Sequence, residues 1–246
     1  MKVVILCGGK GTRIGGSLVE TPKALFEIGG KPILWHLMKS FRAQGLRDFV
    51  LCLGHRAASV QAYFLDGAST PETVVCCEDP VEDWTVTMVD TGADTNTGGR
   101  LRRIAPFVGG ASFIATYGDG LADLDLAELT GFHRDHGRLA TLTAVRPWSQ
   151  FGLLALEDGG RVKRFREKPR LRTWINGGFF VFEPGVFAYL DGDQVLEEAP
   201  LRGLAADSQL MAYRHQGFWA CMDTYKDLET LNTLWAGGGA RWRSWA

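Results

Sequence analysis

No apolar run in this chain approaches the roughly 20 residues that a membrane-spanning helix needs, so no membrane partner is expected. Cysteine is scarce and odd in number: Cys7, Cys52, Cys76, Cys77 and Cys221, with no C-x-x-C spacing. Such a set builds neither a disulfide framework nor a zinc site. It reads as reduced thiols, which implies a cytoplasmic protein. The nine prolines are scattered, and no Pro- or Ser-rich linker, repeat or low-complexity tract divides the chain. A surplus of charge is also missing. The formal net charge is −1, so no global field draws nucleic acid, and any charge that handles phosphate must be local. The apolar run behind Met1-Lys2 ends at Gly8-Gly9, too early for a secretory signal core. What is present, 46% hydrophobic and 22% charged over 246 residues, suits a globular protein that buries its core without disulfide or metal.

The periodicity of the first half alternates between strand and helix. Short apolar runs at 2–7, 48–53, 73–77, 85–89 and 112–117 read as strands. Residues 32–44, 57–65, 99–108 and 125–136 read as helices. Pro32 sits where a first helical turn tolerates it, and Gly45 where a helix ends. The second half is richer in strands, at 140–145, 152–156, 162–166, 178–182 and 210–215, with helices near 184–190, 196–206 and 225–236. The fold class expected is α/β: a Rossmann-like, mixed, mostly parallel sheet flanked by helices, with a small extra β-sheet region. One domain over 1–246 is expected, with a substrate-facing second half. The aromatic tail Arg241-Trp242-Arg243-Ser244-Trp245 reads as packing against the body or a neighbouring subunit.

The segment Cys7-Gly8-Gly9-Lys10-Gly11-Thr12-Arg13 follows the first strand. Glycines let backbone N–H groups approach an anion, and Lys10, Arg13 and Lys23 supply charge around the turn. A tight turn with solvated cations is the plain alternative. A dinucleotide-binding turn is disfavoured because Arg13 stands where G-x-G-x-x-G needs its third glycine, and the GK[ST] end of a P-loop is absent.

Gly8-Gly9-Lys10-Gly11-Thr12-Arg13 with Pro22-Lys23 resembles the signature of sugar-nucleotide pyrophosphorylases. The stretch Glu27-Ile28-Gly29-Gly30-Lys31-Pro32-Ile33-Leu34-Trp35-His36 resembles the glucose-1-phosphate cytidylyltransferase branch. Further matches follow in family order: Val89-Asp90-Thr91-Gly92, Thr97-Gly98-Gly99-Arg100-Leu101, Thr116-Tyr117-Gly118-Asp119-Gly120, Phe151-Gly152, Glu167-Lys168-Pro169, Ile175-Asn176-Gly177-Gly178-Phe179-Phe180, Gly217-Phe218-Trp219 and Met222-Asp223-Thr224. The resemblance spans the whole chain. It implies a nucleotide-diphospho-sugar transferase fold and a reaction of CTP with α-D-glucose 1-phosphate that gives CDP-glucose and pyrophosphate. It also implies Mg²⁺, a homo-oligomer, and products used as CDP-activated deoxysugars for cell-surface polysaccharide such as the lipopolysaccharide O-antigen. UTP or dTTP, or another sugar 1-phosphate, stays open as an alternative. A catalytically silent sugar-nucleotide-binding relative would be expected to lose Lys23 or an aspartate, and this chain keeps them.

By the resemblance, Arg13 holds the leaving β,γ-phosphates and Lys23 the α-phosphate, and both are the catalytic residues. The nucleotide side takes Leu6, Gly8, Gly9, Gly11, Thr12, Thr97, Gly99, Arg100, Tyr117 and Asp119. The sugar-phosphate side takes Glu167, Lys168, Asn176 and Gly177. Asp119 and Asp223, each close behind a strand-like run, are the expected Mg²⁺ ligands. Plain alternatives stand beside them: a turn at Gly118-Asp119-Gly120 and a helix N-cap at Asp223. Arg100 has two readings, a donor to cytosine O2 and N3 or part of the polar face of a short helix. His133 and His136 read as a solvated or locally bonded pair rather than a metal pair, since no third ligand is in sight. Three features depart from the branch: a short 66–83 segment, Gln150 where an arginine is expected before Phe151-Gly152, and Gly15-Gly16 in place of polar residues.

Overall fold

The computed structural model describes residues 1–9 and 21–245. Lys10, Gly11, Thr12, Arg13 and Gly15-Gly16 lie outside the described residues, and with them one of the two expected catalytic cations.

An eight-stranded sheet forms the centre, in the order β13-β9-β12-β7-β1-β4-β6-β5. Its strands are β1 (Val3–Leu6), β4 (Asp48–Leu53), β5 (Val74–Asp79), β6 (Trp84–Asp90), β7 (Phe113–Tyr117), β9 (Ala140–Val145), β12 (Ile175–Phe182) and β13 (Leu210–Arg214). β1, β4, β6 and β7 pair in parallel, β13 is parallel to β9, and only β12 and β5 run against the rest. This is the mixed, mostly parallel sheet expected. β1 shows why the run 3–6 is apolar throughout. Val3 and Ile5 enter the core on one face, and Val4 and Leu6 that on the other. A strand covered on both faces has no solvent side on which polar residues could alternate.

Helices α1 (Ile33–Arg42), α2 (Ala57–Phe64), α3 (Thr97–Arg103), α4 (Ala105–Val108), α5 (Leu126–His136), α6 (Ala199–Ala206) and α7 (Tyr225–Ala236) cover the faces. α1 buries Ile33, Leu34, Leu37, Met38 and Phe41. Past its end, Gly45 takes φ +89°, and the Leu46 amide donates to the Phe41 carbonyl at 3.1 Å. A left-handed residue of this kind commonly closes a helix. The basic helix expected over 99–108 is two helices, α3 and α4. Pro106, near the start of α4, has no N–H to continue the ladder. His133 and His136 both hydrogen-bond with Thr141 Oγ1, at 2.8 and 2.7 Å, so they are locally bonded as expected. The tail packs on the body. Trp242 is buried against Phe218 and His36, and Trp245 meets Trp35 edge-on.

Three small sheets are appended: β2 (Glu27–Ile28) with β3 (Lys31–Pro32), β8 (Gly120–Ala122) with β14 (Trp219–Cys221), and β10 (Leu153–Leu156) with β11 (Val162–Arg166). The β8–β14 pair decides the geometry of the site.

Candidate active site

A cavity of about 710 Å³ opens along the C-terminal edge of the parallel strands. Open α/β sheets bind ligands at this edge. Residues just beyond β1, β7 and β14 line it. β12 runs the other way, so it is its first residues, Ile175 to Gly177, that reach this edge.

The two aspartates meet because of the β8–β14 ladder. Cys221 pairs antiparallel with Gly120, and the Met222 amide donates to the Asp119 carbonyl at 2.9 Å. Asp119, just before β8, therefore lies beside Asp223, just after β14. Asp223 is not the N-cap of α7. Thr224 is, in a reciprocal capping box with Asp227, and the Asp223 amide also donates to Asp227 at 3.0 Å. That arrangement ties down the Asp223 backbone while its carboxylate faces the cavity.

Lys23 stands between them. It opens a 3₁₀ turn, Lys23–Leu25, that follows Pro22 and is pinned by the buried Ala24. Its ammonium donates to Asp119 Oδ2 at 2.6 Å and to Asp223 Oδ1 at 2.7 Å. Burial pulls the lysine pKa down, but the charge of Asp119 and the hydrogen bonds that the ammonium donates to both aspartates outweigh it and hold the pKa above its ordinary value. The group stays charged across the neutral range.

Asp119 and Asp223 offer oxygens, which suit Mg²⁺. The lysine ammonium is itself a cation held by the two carboxylates, so the pair attracts positive charge, and the lysine occupies the place between them. A third group within 4.8 Å of both carboxylates is the Cys221 thiol. Burial and the two aspartate charges push it up, so it stays protonated, and sulfur is a poor ligand for a hard cation.

Gly8, Gly9, Leu6, Lys23, Thr97, Arg100, Tyr117, Asp119, Asn176, Gly177 and Asp223 all line the cavity. Gly8 does so for a different reason from the one expected. A Cβ there would lie 2.3 Å from Arg100 Nη1 and 2.8 Å from the Gly54 amide nitrogen, so the missing side chain makes room for an arginine. Among the described residues, nothing comes within 4 Å of a Cβ placed at Gly9. Gly99, Glu167 and Lys168 do not line the cavity. Gly99 packs α3 against Asp193, with its amide on the Gln194 carbonyl. Glu167 and Lys168 are exposed just past β11, where Lys168 adopts φ +41°.

Arg100 is no part of a solvated helix face; it is 4% exposed. Nη1 donates to the Leu53 carbonyl and Thr91 Oγ1, both at 2.8 Å, and Nη2 to the Gly8 carbonyl at 3.0 Å. One side chain thus joins the loops after β1, β4 and β6. With a longer Nη2 bond to the Ala93 carbonyl at 3.4 Å, four of its five N–H donors are engaged by the protein, which leaves little of the guanidinium for reading cytosine directly. Arg100→Met is expected to cost about 3 kcal/mol of stability, since buried acceptors lose charge-assisted bonds, a loss that urea unfolding would measure.

Three contributors were not among the expected site residues. Glu197 accepts from the Tyr117 hydroxyl and from Thr97 Oγ1, the latter at 2.9 Å, which links β7 to the start of α3 across the cavity wall. Burial and the Glu197 charge together push the tyrosine pKa up. Trp219 Nε1 donates to the Gly177 carbonyl at 2.7 Å and shapes the end where Asn176 lies. Cys221 is the third.

Residues 2–237 match the family model described as nucleotidyl transferase. The chain belongs to this family. It is 44% identical to the glucose-1-phosphate cytidylyltransferase of Salmonella typhi over 257 aligned positions that cover all of both chains. The same figures hold for the Bacillus subtilis (strain 168) protein named "Probable glucose-1-phosphate cytidylyltransferase". Among solved structures, HddC from Yersinia pseudotuberculosis superposes with a TM-score of 0.72 at 21% identity, over 95% of this chain and 99% of that one. That likeness places the fold. The nucleotidyltransferase thus aligns with both of these relatives over their whole length.

Proposed function

We propose that this nucleotidyltransferase joins CTP and α-D-glucose 1-phosphate into CDP-glucose and pyrophosphate. The observation that carries the reading is the Lys23–Asp119–Asp223 constellation at the sheet edge of a chain 44% identical, end to end, to glucose-1-phosphate cytidylyltransferases.

The chemistry follows from charge. A phosphate oxygen of the sugar 1-phosphate attacks the α-phosphorus of the nucleotide in line. The new O–P bond forms as the bond to the β-phosphate bridging oxygen breaks, and pyrophosphate leaves with that electron pair. The nucleophile is already an anion, so no general base is required. The barrier is the approach of two anions and the charge that develops on the leaving group, which calls for positioned cations. Lys23 supplies one at the α-phosphate. Arg13 supplies another at the β,γ-phosphates. Asp119 and Asp223 would hold Mg²⁺, which when bound neutralises phosphate charge. Asn176 and Gly177, with Trp219 behind them, bound the sugar end, and the loops after β1 and at the start of α3 bound the base. By movement of the segment behind β11, Lys168 would reach the phosphate of the sugar 1-phosphate and Glu167 the sugar hydroxyls.

The same reading makes the protein a cytoplasmic homo-oligomer. Five unpaired thiols support the first part. The β10–β11 hairpin supports the second. Leu154 lies opposite Phe165 and Leu156 opposite Val162, all four at least half exposed.

Incubation with both substrates is expected to yield CDP-glucose and pyrophosphate in equal amounts, and EDTA to stop it. Pyrophosphate without CDP-glucose would overturn the assignment.

A further inference from the structure

We propose that the Lys23 ammonium is a built-in counter-ion that keeps a free divalent cation off the Asp119–Asp223 pair. The cleft then takes the cation as its nucleoside triphosphate complex rather than alone. The inference rests on the reading of this cleft as a nucleotidyl transfer site, and it says in what form the metal arrives.

Three observations lead to it. Lys23 Nζ lies 2.6 Å from one carboxylate and 2.7 Å from the other, between the two oxygens a metal ion would share. Its side chain is 15% exposed, against 24% and 31% for the aspartates, so the lysine is the most enclosed side chain of the three. Its backbone is pinned by Pro22 and buried Ala24, whereas the side chain has four rotatable bonds and can move alone.

A free hydrated dication approaching this pair meets the lysine charge at contact distance. It is repelled twice as strongly as a monovalent ion would be. Displacing the ammonium without giving it a new partner leaves a lysine charge partly buried and unpaired, which is unfavourable. A triphosphate changes both terms. Its α-phosphate offers the ammonium another anion within reach, and its oxygens complete the coordination that Mg²⁺ prefers, one or two carboxylates plus phosphate. Lys23 then moves from the aspartates to the phosphate as the nucleotide seats. Lys23 is thus a ligand-order residue as well as a transition-state cation.

The test is Mn²⁺ binding to the nucleotide-free protein, followed by the paramagnetic resonance signal of the free hydrated ion, which needs no turnover. The full-length protein is expected to bind Mn²⁺ weakly, Lys23→Arg to remain weak, and Lys23→Met to gain one saturable site at least about tenfold tighter. Lys23→Met combined with Asp119→Asn should lose that gain, which places the new site between the carboxylates. Equal affinity in the parent protein and Lys23→Met, or tight binding by the parent without nucleotide, would overturn the proposal. A chain that proved unable to transfer nucleotides but showed the Mn²⁺ gain would sink the functional reading and leave the counter-ion role standing. Thermal melting of each variant, with Lys23→Arg as the charge-keeping control, separates a loosened fold from an exposed metal site.

Discussion

Lys23→Met is expected to lower kcat for nucleotidyl transfer by about two to three orders of magnitude, a loss of about 3–4 kcal/mol of transition-state stabilisation, while the protein still folds. The magnitude is that of one preorganised donor removed from a site where charge develops. KM for the nucleotide should rise far less, because a lysine that leaves two aspartates to reach the phosphate contributes little net binding to the ground state. The fold should survive. The packing around residue 23 rests on Ala24 and the turn after Pro22, and neither depends on the ammonium. Steady-state kinetics with a circular dichroism melt would check this. A kcat within tenfold of the parent would exclude Lys23 from the chemistry. The pH dependence has a definite sign. The folded pKa of Lys23 is raised, so the stability that its ion pairs contribute is complete below the ordinary lysine range and lost only as pH climbs through the raised value. No loss from this group is expected near neutral pH.

Asp119→Asn and Asp223→Asn should each remove about two to three orders of magnitude from kcat, and the double variant little more, since groups that act as a unit are not additive. Asparagine keeps the shape and one acceptor and loses the charge. The contacts that bring the two positions together are backbone hydrogen bonds, the Cys221–Gly120 pairing and the Met222 amide on the Asp119 carbonyl, and these are untouched. Each single variant should also lose the response of turnover to added Mg²⁺. Near-normal turnover in either one would sink the metal assignment.

Much of the frame is legible in the residues. The bounds of β4, β9, β11 and α7 coincide with their expected ranges, and for β4 and α7 the reason is that an apolar run or a regular helical stripe states its own period. The lysine and both aspartates are legible as well, by position behind strands and by family order. Their mutual contact is not. It depends on β8 and β14, three residues each, too short for any period to show. Asp223 reads as an N-cap from its place before α7, yet Thr224 takes that role because Asp227, three residues on, completes the capping box. Arg100 sits in a run of basic residues that looks solvated. Only the absence of side chains at Gly8 and Gly54 gives its guanidinium a place to enter, and that requires knowing that three loops converge. Glu197 lies in a loop between the turn after β12 and α6, and no spacing rule joins it to Tyr117, 80 positions away.

One measurement bears most directly on the whole account: pyrophosphate release from five nucleoside triphosphates crossed with several sugar 1-phosphates, each with and without EDTA. Release with CTP and glucose 1-phosphate well above every other pair, abolished by EDTA, is the expected result. Release that favours another nucleotide or sugar would contradict the substrate assignment, and no release from any pair would contradict nucleotidyl transfer itself.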